Sequence, residues 1–227
     1  MSRANTNTPV RRPAWSAAIV AASALLSGCN VAGPAFFLIH GPQKVKAQYT
    51  LPRDKSAVVF IDDRANVLPS RAARQRASRA AERKLLDKRA VGKADIVSSD
   101  AIMSLSAQER FGKPTGIAEV GKAVGASTIV YATVDSFALS PDGQQFAPTA
   151  ELRVKVLDAE TRRRLWPTGD NEWAPVQVRQ PNKSGLPPTS TADRTKAEYE
   201  LAEWLGQTVA ELFVEHEDTD LARRVGE

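Results

Sequence analysis

The chain has one cysteine, Cys29, in 227 residues. An intrachain disulfide is excluded, and so is any metal site that needs two thiolates. Its two histidines are His40 and His216. Neither stands at a spacing that shares a metal or completes a Ser-His-Asp triad. Neither phosphate-binding signature, G-x-G-x-x-G or G-x-x-x-x-G-K-[ST], occurs anywhere. No metal, no small-molecule cofactor and no catalytic residue is therefore expected. Long hydrophobic runs are also scarce. The one extended apolar run, Ser16 to Leu26, is shorter than the roughly 18–20 residues that cross a bilayer.

What that run does fit is a leader. Arg3, Arg11 and Arg12 precede it with no acidic residue among them, and Leu26-Ser27-Gly28-Cys29 follows it. A basic n-region, a short apolar h-region and small residues before a cut make a secretory signal. The last four residues resemble the lipobox of bacterial lipoproteins. The expectation is cleavage between Gly28 and Cys29 and lipidation, including palmitate, on Cys29. Arg11-Arg12 is followed by Pro13-Ala14-Trp15, which fits twin-arginine export poorly and favours the general secretory route. Residue 30 is Asn rather than Asp. By resemblance to enterobacterial sorting, this points to the outer membrane, facing the periplasm. The leader holds three of the 31 basic residues and none of the 26 acidic ones, so the remainder is close to neutral.

Four segments are expected: a signal peptide at 1–28, a lipidated tether at 29–55, an α/β domain at 56–217 and a tail at 218–227. Within the tether, Ala35 to Ile39 is an apolar cluster that suits either the lipid surface or an added strand. The domain opens with Ala57-Val58-Val59-Phe60-Ile61, a continuous apolar run typical of a buried strand. Ala73, Ala77, Ala80, Ala81 and Leu85 recur every three or four residues in a helix over 70–89. A short strand at 94–98 and a helix at 115–124 follow, the latter ended by Gly125. Thr128 to Val134 is the strongest strand. Ala150, Leu152, Val154 and Val156 alternate with charged residues, which predicts a strand with one wet face. Arg163 to Trp166 completes a hairpin with it, and Asp193 to His216 reads as a long helix with a capping box at Thr195 and Glu198. The order predicts a single α/β domain, a mixed β-sheet flanked by helices.

Three stretches carry a family resemblance. They are Val58-Val59-Phe60-Ile61-Asp62-Asp63, the segment from Ala118 to Val134, and Leu157-Asp158-Ala159-Glu160-Thr161 with Leu165-Trp166. Together they resemble the α/β domain shared by the LpoB penicillin-binding-protein activators, the amino-terminal domain of TolB and the periplasmic domain of the curli secretion lipoprotein CsgG. The sequence departs from that pattern at Ser127, at Ala132, and at Arg162, where the family usually has Gly. The resemblance implies a non-enzymatic envelope lipoprotein that docks on another protein and supports assembly or activates a cell-wall synthase.

Two surfaces are candidates for function. The strand-end carboxylates Asp62, Asp63 and Asp135 lie where α/β sheets place their sites. They support the alternative of a ligand-binding or metal-dependent hydrolytic domain, against ordinary loop capping by the same residues. The second is the first helix region. Nine basic residues fall between Arg64 and Arg89, with only Glu82 and Asp87 among them. An exported protein is not expected to meet nucleic acid. Arg71, Arg74, Arg79 and Arg83 are instead the candidate contact for an acidic partner, a wall polymer or anionic lipid, set against a solvated helix face.

Overall fold

The computed structural model describes residues 44–108, 116–181 and 183–217. The leader, the cut at Gly28 and Cys29, and the tail from 218 lie outside the described residues. A compact unit runs from Val45 to His216. No helix among the described residues is long and apolar enough to cross a membrane.

The sheet is built on β1 (Ala57–Asp62), β2 (Ile96–Val97), β3 (Thr128–Ala138), β4 (Thr149–Asp158), β5 (Arg164–Trp166) and β6 (Ala174–Arg179). Its order is β2-β1-β3-β4, with β5 and β6 sharing the outer edge of β4. β1 is parallel to both β2 and β3, and every pairing beyond β3 is antiparallel. The α/β, mixed-sheet class expected from the sequence is what forms.

Two helices cover one face. α1 (Arg71–Asp87) starts where Ser70 Oγ accepts the Ala73 N–H at 3.1 Å. α4 (Thr191–Glu211) starts where Ser190 Oγ accepts the Asp193 N–H at 3.0 Å. The expected box at Thr195 and Glu198 is therefore not the cap. The helix begins a turn earlier, at a serine whose chain direction is fixed by the preceding Pro187-Pro188 segment. Ala73, Ala77, Ala81 and Leu85 of α1 meet Leu201, Leu205 and Val209 of α4 over Val59, Ile61, Val130, Ala132, Leu152 and Val154 of the sheet. Small residues let the helices approach closely. A Cβ on Gly206 would run into the Ala77 carbonyl.

The opposite face is covered over part of its width. α2 (Ser99–Gln108) and α3 (Ile117–Ala123) place Ile102, Met103 and Val120 against Val58, Phe60, Ile129 and Tyr131. α2 and β6 were not expected from the sequence. Residues 45–55 also differ from expectation. Read as the end of a polar tether, they belong to the compact unit: Gln48 donates its N–H to the Leu212 carbonyl at 2.8 Å, and Leu51 is buried in the core. At Arg162 the hairpin keeps a left-handed backbone, φ 60°, which glycine adopts at lowest cost. Here an arginine holds it and its guanidinium reaches Glu119 at 2.8 Å.

Candidate functional site

The parallel register sets Asp62, the last residue of β1, beside Thr133, midway along β3. Tyr131, two residues earlier on β3, donates its hydroxyl to Asp62 Oδ2 at 2.8 Å. Arg64 Nε reaches the same oxygen at 2.8 Å. Tyr131 is almost wholly buried. Burial first, and then the hydrogen bond to Asp62, push its hydroxyl well above the ordinary tyrosine value. A phenol held neutral in this way is a poor base at any physiological pH.

Asp63 points elsewhere. Its two carboxylate oxygens accept the N–H groups of Val67 and Leu68, at 2.8 and 3.1 Å. This caps the loop that leads into α1. Asp135 sits at the irregularity of β3, where the register with β4 shifts between Val134 and Ser136. Arg153 holds it in a two-pronged pair, Nε at 2.8 Å and Nη2 at 2.7 Å. Asp62 ends β1 and Asp63 follows it, as expected, whereas Asp135 lies inside β3, which continues to Ala138; each of the three is committed to its own partner. Among the described residues, no group of three or more His, Cys, Asp or Glu is arranged to hold a metal ion.

Beyond Asp135 the uncovered half of this face carries charge. On β4, Glu151 and Arg153 are exposed, while Lys155 is more sheltered and pairs with Glu172 at 3.1 Å. Trp173 lies over them. Lys155 Nζ is 3.8 Å and the Arg153 guanidinium 5.4 Å from its ring centre, and the ring packs on Tyr131 at 5.7 Å. The place of Trp173 against the sheet follows from β6, which begins at the next residue and fixes the register Val154 to Ala174.

The basic helix is less uniform than its sequence. Arg71 and Arg83 are exposed. Arg79 is also exposed but bonds Asp100 Oδ2 at 2.7 Å. Arg74 is half-buried, and its Nε is enclosed without a hydrogen-bond partner in the described structure. Five residues turn a helix by about 140° net, so Arg74 and Arg79 point to different sides. Arg76 pairs with Glu203 and Lys84 with Glu211. Three of the nine basic residues of the segment are thus matched from α2 and α4. Glu82 accepts the Ser99 N–H at the start of α2, and burial there raises its carboxyl above the ordinary range.

No family model matches the sequence, and no curated protein is significantly similar to it. Solved structures are. PelC from Paraburkholderia phytofirmans, a dodecamer, is 14% identical, over 75% of this chain and 91% of that one, with a TM-score of 0.39. Lipoprotein GNA1162 from Neisseria meningitidis is 12% identical, over 57% of this chain and 81% of that one, TM-score 0.36. The C-terminal domain of LpoB from Salmonella enterica is 14% identical, over 66% of this chain and 95% of that one, TM-score 0.33. The chain is thus similar to bacterial lipoproteins, an LpoB domain among them. At these scores the likeness carries no statement about activity.

Proposed function

We propose that the chain is a lipid-anchored envelope protein, held to a membrane through Cys29, whose α/β domain is a non-enzymatic interaction, assembly or regulatory factor. The observation that carries the reading is the commitment of Asp62, Asp63 and Asp135 to internal partners. A hydrolytic or metal-binding edge needs carboxylates free to turn toward a ligand. Here each supports a loop, a buried tyrosine or a neighbouring strand. The lipobox supports the anchor, and Asn30 supports the outer membrane. The partner is an envelope protein, by the LpoB resemblance a cell-wall synthase, and not nucleic acid. The surface assigned to it is the exposed arc of α1 carrying Arg71, Arg79 and Arg83, which span about 120° of helix. Arg74, half-buried, is the least accessible of the four candidates.

Complementation of a deletion strain tests this. Asp62→Asn and Asp135→Asn, each alone, should restore the envelope phenotype as the parent does. Cys29→Ser should not, and mass spectrometry of its membrane fraction should show an uncleaved chain without lipid. Arg71, Arg79 and Arg83 changed together to Glu should also fail while the circular dichroism stays that of the parent. The reverse pattern, loss with the aspartate variants and rescue by the arginine variant, would sink the proposal.

A further inference from the structure

Where α1 ends and β2 begins, a cleft of about 680 Å³ is lined by Arg53, Asp87, Arg89, Lys93 and Asp95, with Leu86 and Val91. That volume suits a small ligand. Exposed charges stand without an ion pair elsewhere too, as at Arg71 and Arg83, but here unpaired charges of both signs line one cleft. Among the described residues, none of these five side chains forms a hydrogen bond or an ion pair.

Arg89 adds a second, independent observation. The end of α1 closes by the hydrogen bonds Arg89 N–H to the Leu86 carbonyl, 3.0 Å, and Ala90 N–H to the Leu85 carbonyl, 2.9 Å. Arg89 lies between them at φ 55°. This is the left-handed closing position that glycine commonly fills and that a side chain strains. Arg162 accepts the same strain, and its guanidinium bonds Glu119. The Arg89 guanidinium bonds nothing in the described structure. It is carried into the cleft on a backbone that would favour having no side chain at all.

We propose that the cleft binds a phosphate ester that also bears an amine. Arg53, Arg89 and Lys93 take the phosphate, and Asp87 and Asp95 take the ammonium. Arginine forks suit phosphate oxygens, and three cations more than offset the charge of about −2 on a monoester. A bare anion would leave the two aspartates without a counter-charge, whereas the ammonium of a zwitterion gives them a partner. Leu86 and Val91 offer apolar surface to the carbon chain that joins the two groups. Such a ligand is either a free phosphorylated amine or the headgroup of a phospholipid, and the two differ as monoester and diester.

Calorimetric titration of the purified full chain distinguishes them. O-phosphorylethanolamine represents the free monoester, glycerophosphoethanolamine the lipid headgroup, and inorganic phosphate the bare anion. Saturable binding of at least one amine-bearing probe, tighter than inorganic phosphate, is the expected result, and the tighter of the two names the source. Arg89→Gly should weaken that binding by about tenfold or more, as loss of a charge-assisted contact does. Its melting temperature should be equal to the parent's or higher, since glycine relieves the strain, so lost binding cannot be attributed to lost fold. Asp87→Asn should weaken the amine-bearing probes while inorganic phosphate, relieved of one negative neighbour, binds as well or better. Absence of saturable binding, inorganic phosphate binding as tightly as the amines, or an Arg89→Gly variant with parental affinity overturns the proposal.

Discussion

The two faces of the sheet are built on different principles. Under α1 and α4 the contact is dry and continuous from β1 to β6, and the residues that meet there are mostly Ala, Val and Leu. On the other face α2 and α3 close only over β1 and part of β3. Past Tyr131 the surface gives way to Asp135 with Arg153 and Glu172 with Lys155, under Trp173. Stability resides on the first face, where apolar area leaves water at about 25 cal/mol per Å². The half of the second face that α2 and α3 leave uncovered is where side chains are free to change without unfolding the protein.

The largest effect tests the dry face. Leu205 is fully buried between α4 and the sheet. Leu205→Asp places an unpaired charge there, at several kcal/mol, comparable with the total stability of about 5–15 kcal/mol for a domain. The variant should be unfolded or should melt tens of degrees lower by circular dichroism. A parental melting temperature would mean that this face is not the stabilising one.

Gly206→Ala comes next. Alanine favours a helix by about 1 kcal/mol over glycine, so on an exposed helix the change would stabilise. Here the new methyl meets the Ala77 backbone carbonyl. Backbone cannot swing aside as a side-chain tip can, so α1 and α4 must part. The net expectation is a loss of roughly 1–3 kcal/mol, read from urea unfolding. A gain in stability would show that the two helices are loosely seated.

The border between the faces responds to pH. The folded chain holds the Tyr131 proton more tightly than the unfolded chain does. Above about pH 10 an unfolded tyrosine ionises, so the unfolded state binds fewer protons and stability falls as pH rises. Tyr131→Phe removes that dependence and, at neutral pH, one hydrogen bond worth about 1 kcal/mol. Its alkaline limb should be shallower than the parent's but not flat, because burial also raises Tyr49. An unchanged limb in the variant would place Tyr131 in contact with solvent.

These contrasts were partly legible in the sequence. β1, β3, β4 and α1 announced themselves because burial on one or both faces imposes a period of two or of 3.6 on the apolar residues. α2 did not, since Ser99 to Gln108 is too short to establish a helical period and buries mainly Ile102 and Met103. β6 was hidden by Pro175, which argues against a strand in general but is tolerated at an edge. The strand-end position of Asp62 was readable, but Asp135, expected at an end as well, lies inside β3, which continues to Ala138. Their partners were not readable, because Tyr131 and Arg153 are brought to them only by sheet register. The basic helix misled for the same reason. Glu203 and Glu211 are 127 residues from Arg76 and Lys84, and no local charge count sees them. The closing arginines at 89 and 162 carry no pattern at all, since left-handed backbone is a property of the turn and not of the residue.

The smallest effect tests the open face. Arg153→Gln removes the pair to Asp135 and one of the two cations over Trp173. Both partners of the pair are reached by water, with side-chain exposures of 49% and 35%, so Asp135 is not stranded when the arginine goes. Exposed pairs of this kind contribute about 0–1 kcal/mol even with good geometry. The melting temperature should therefore move by only a degree or two, on the order of what such an energy produces in a domain of this size. Lys155 remains 3.8 Å from the ring centre of Trp173, so the indole keeps its seat, and the fluorescence maximum should shift slightly without the red shift of an unfolded tryptophan. A loss of stability approaching that of Gly206→Ala would place Arg153 in the scaffold and make the second face as structural as the first.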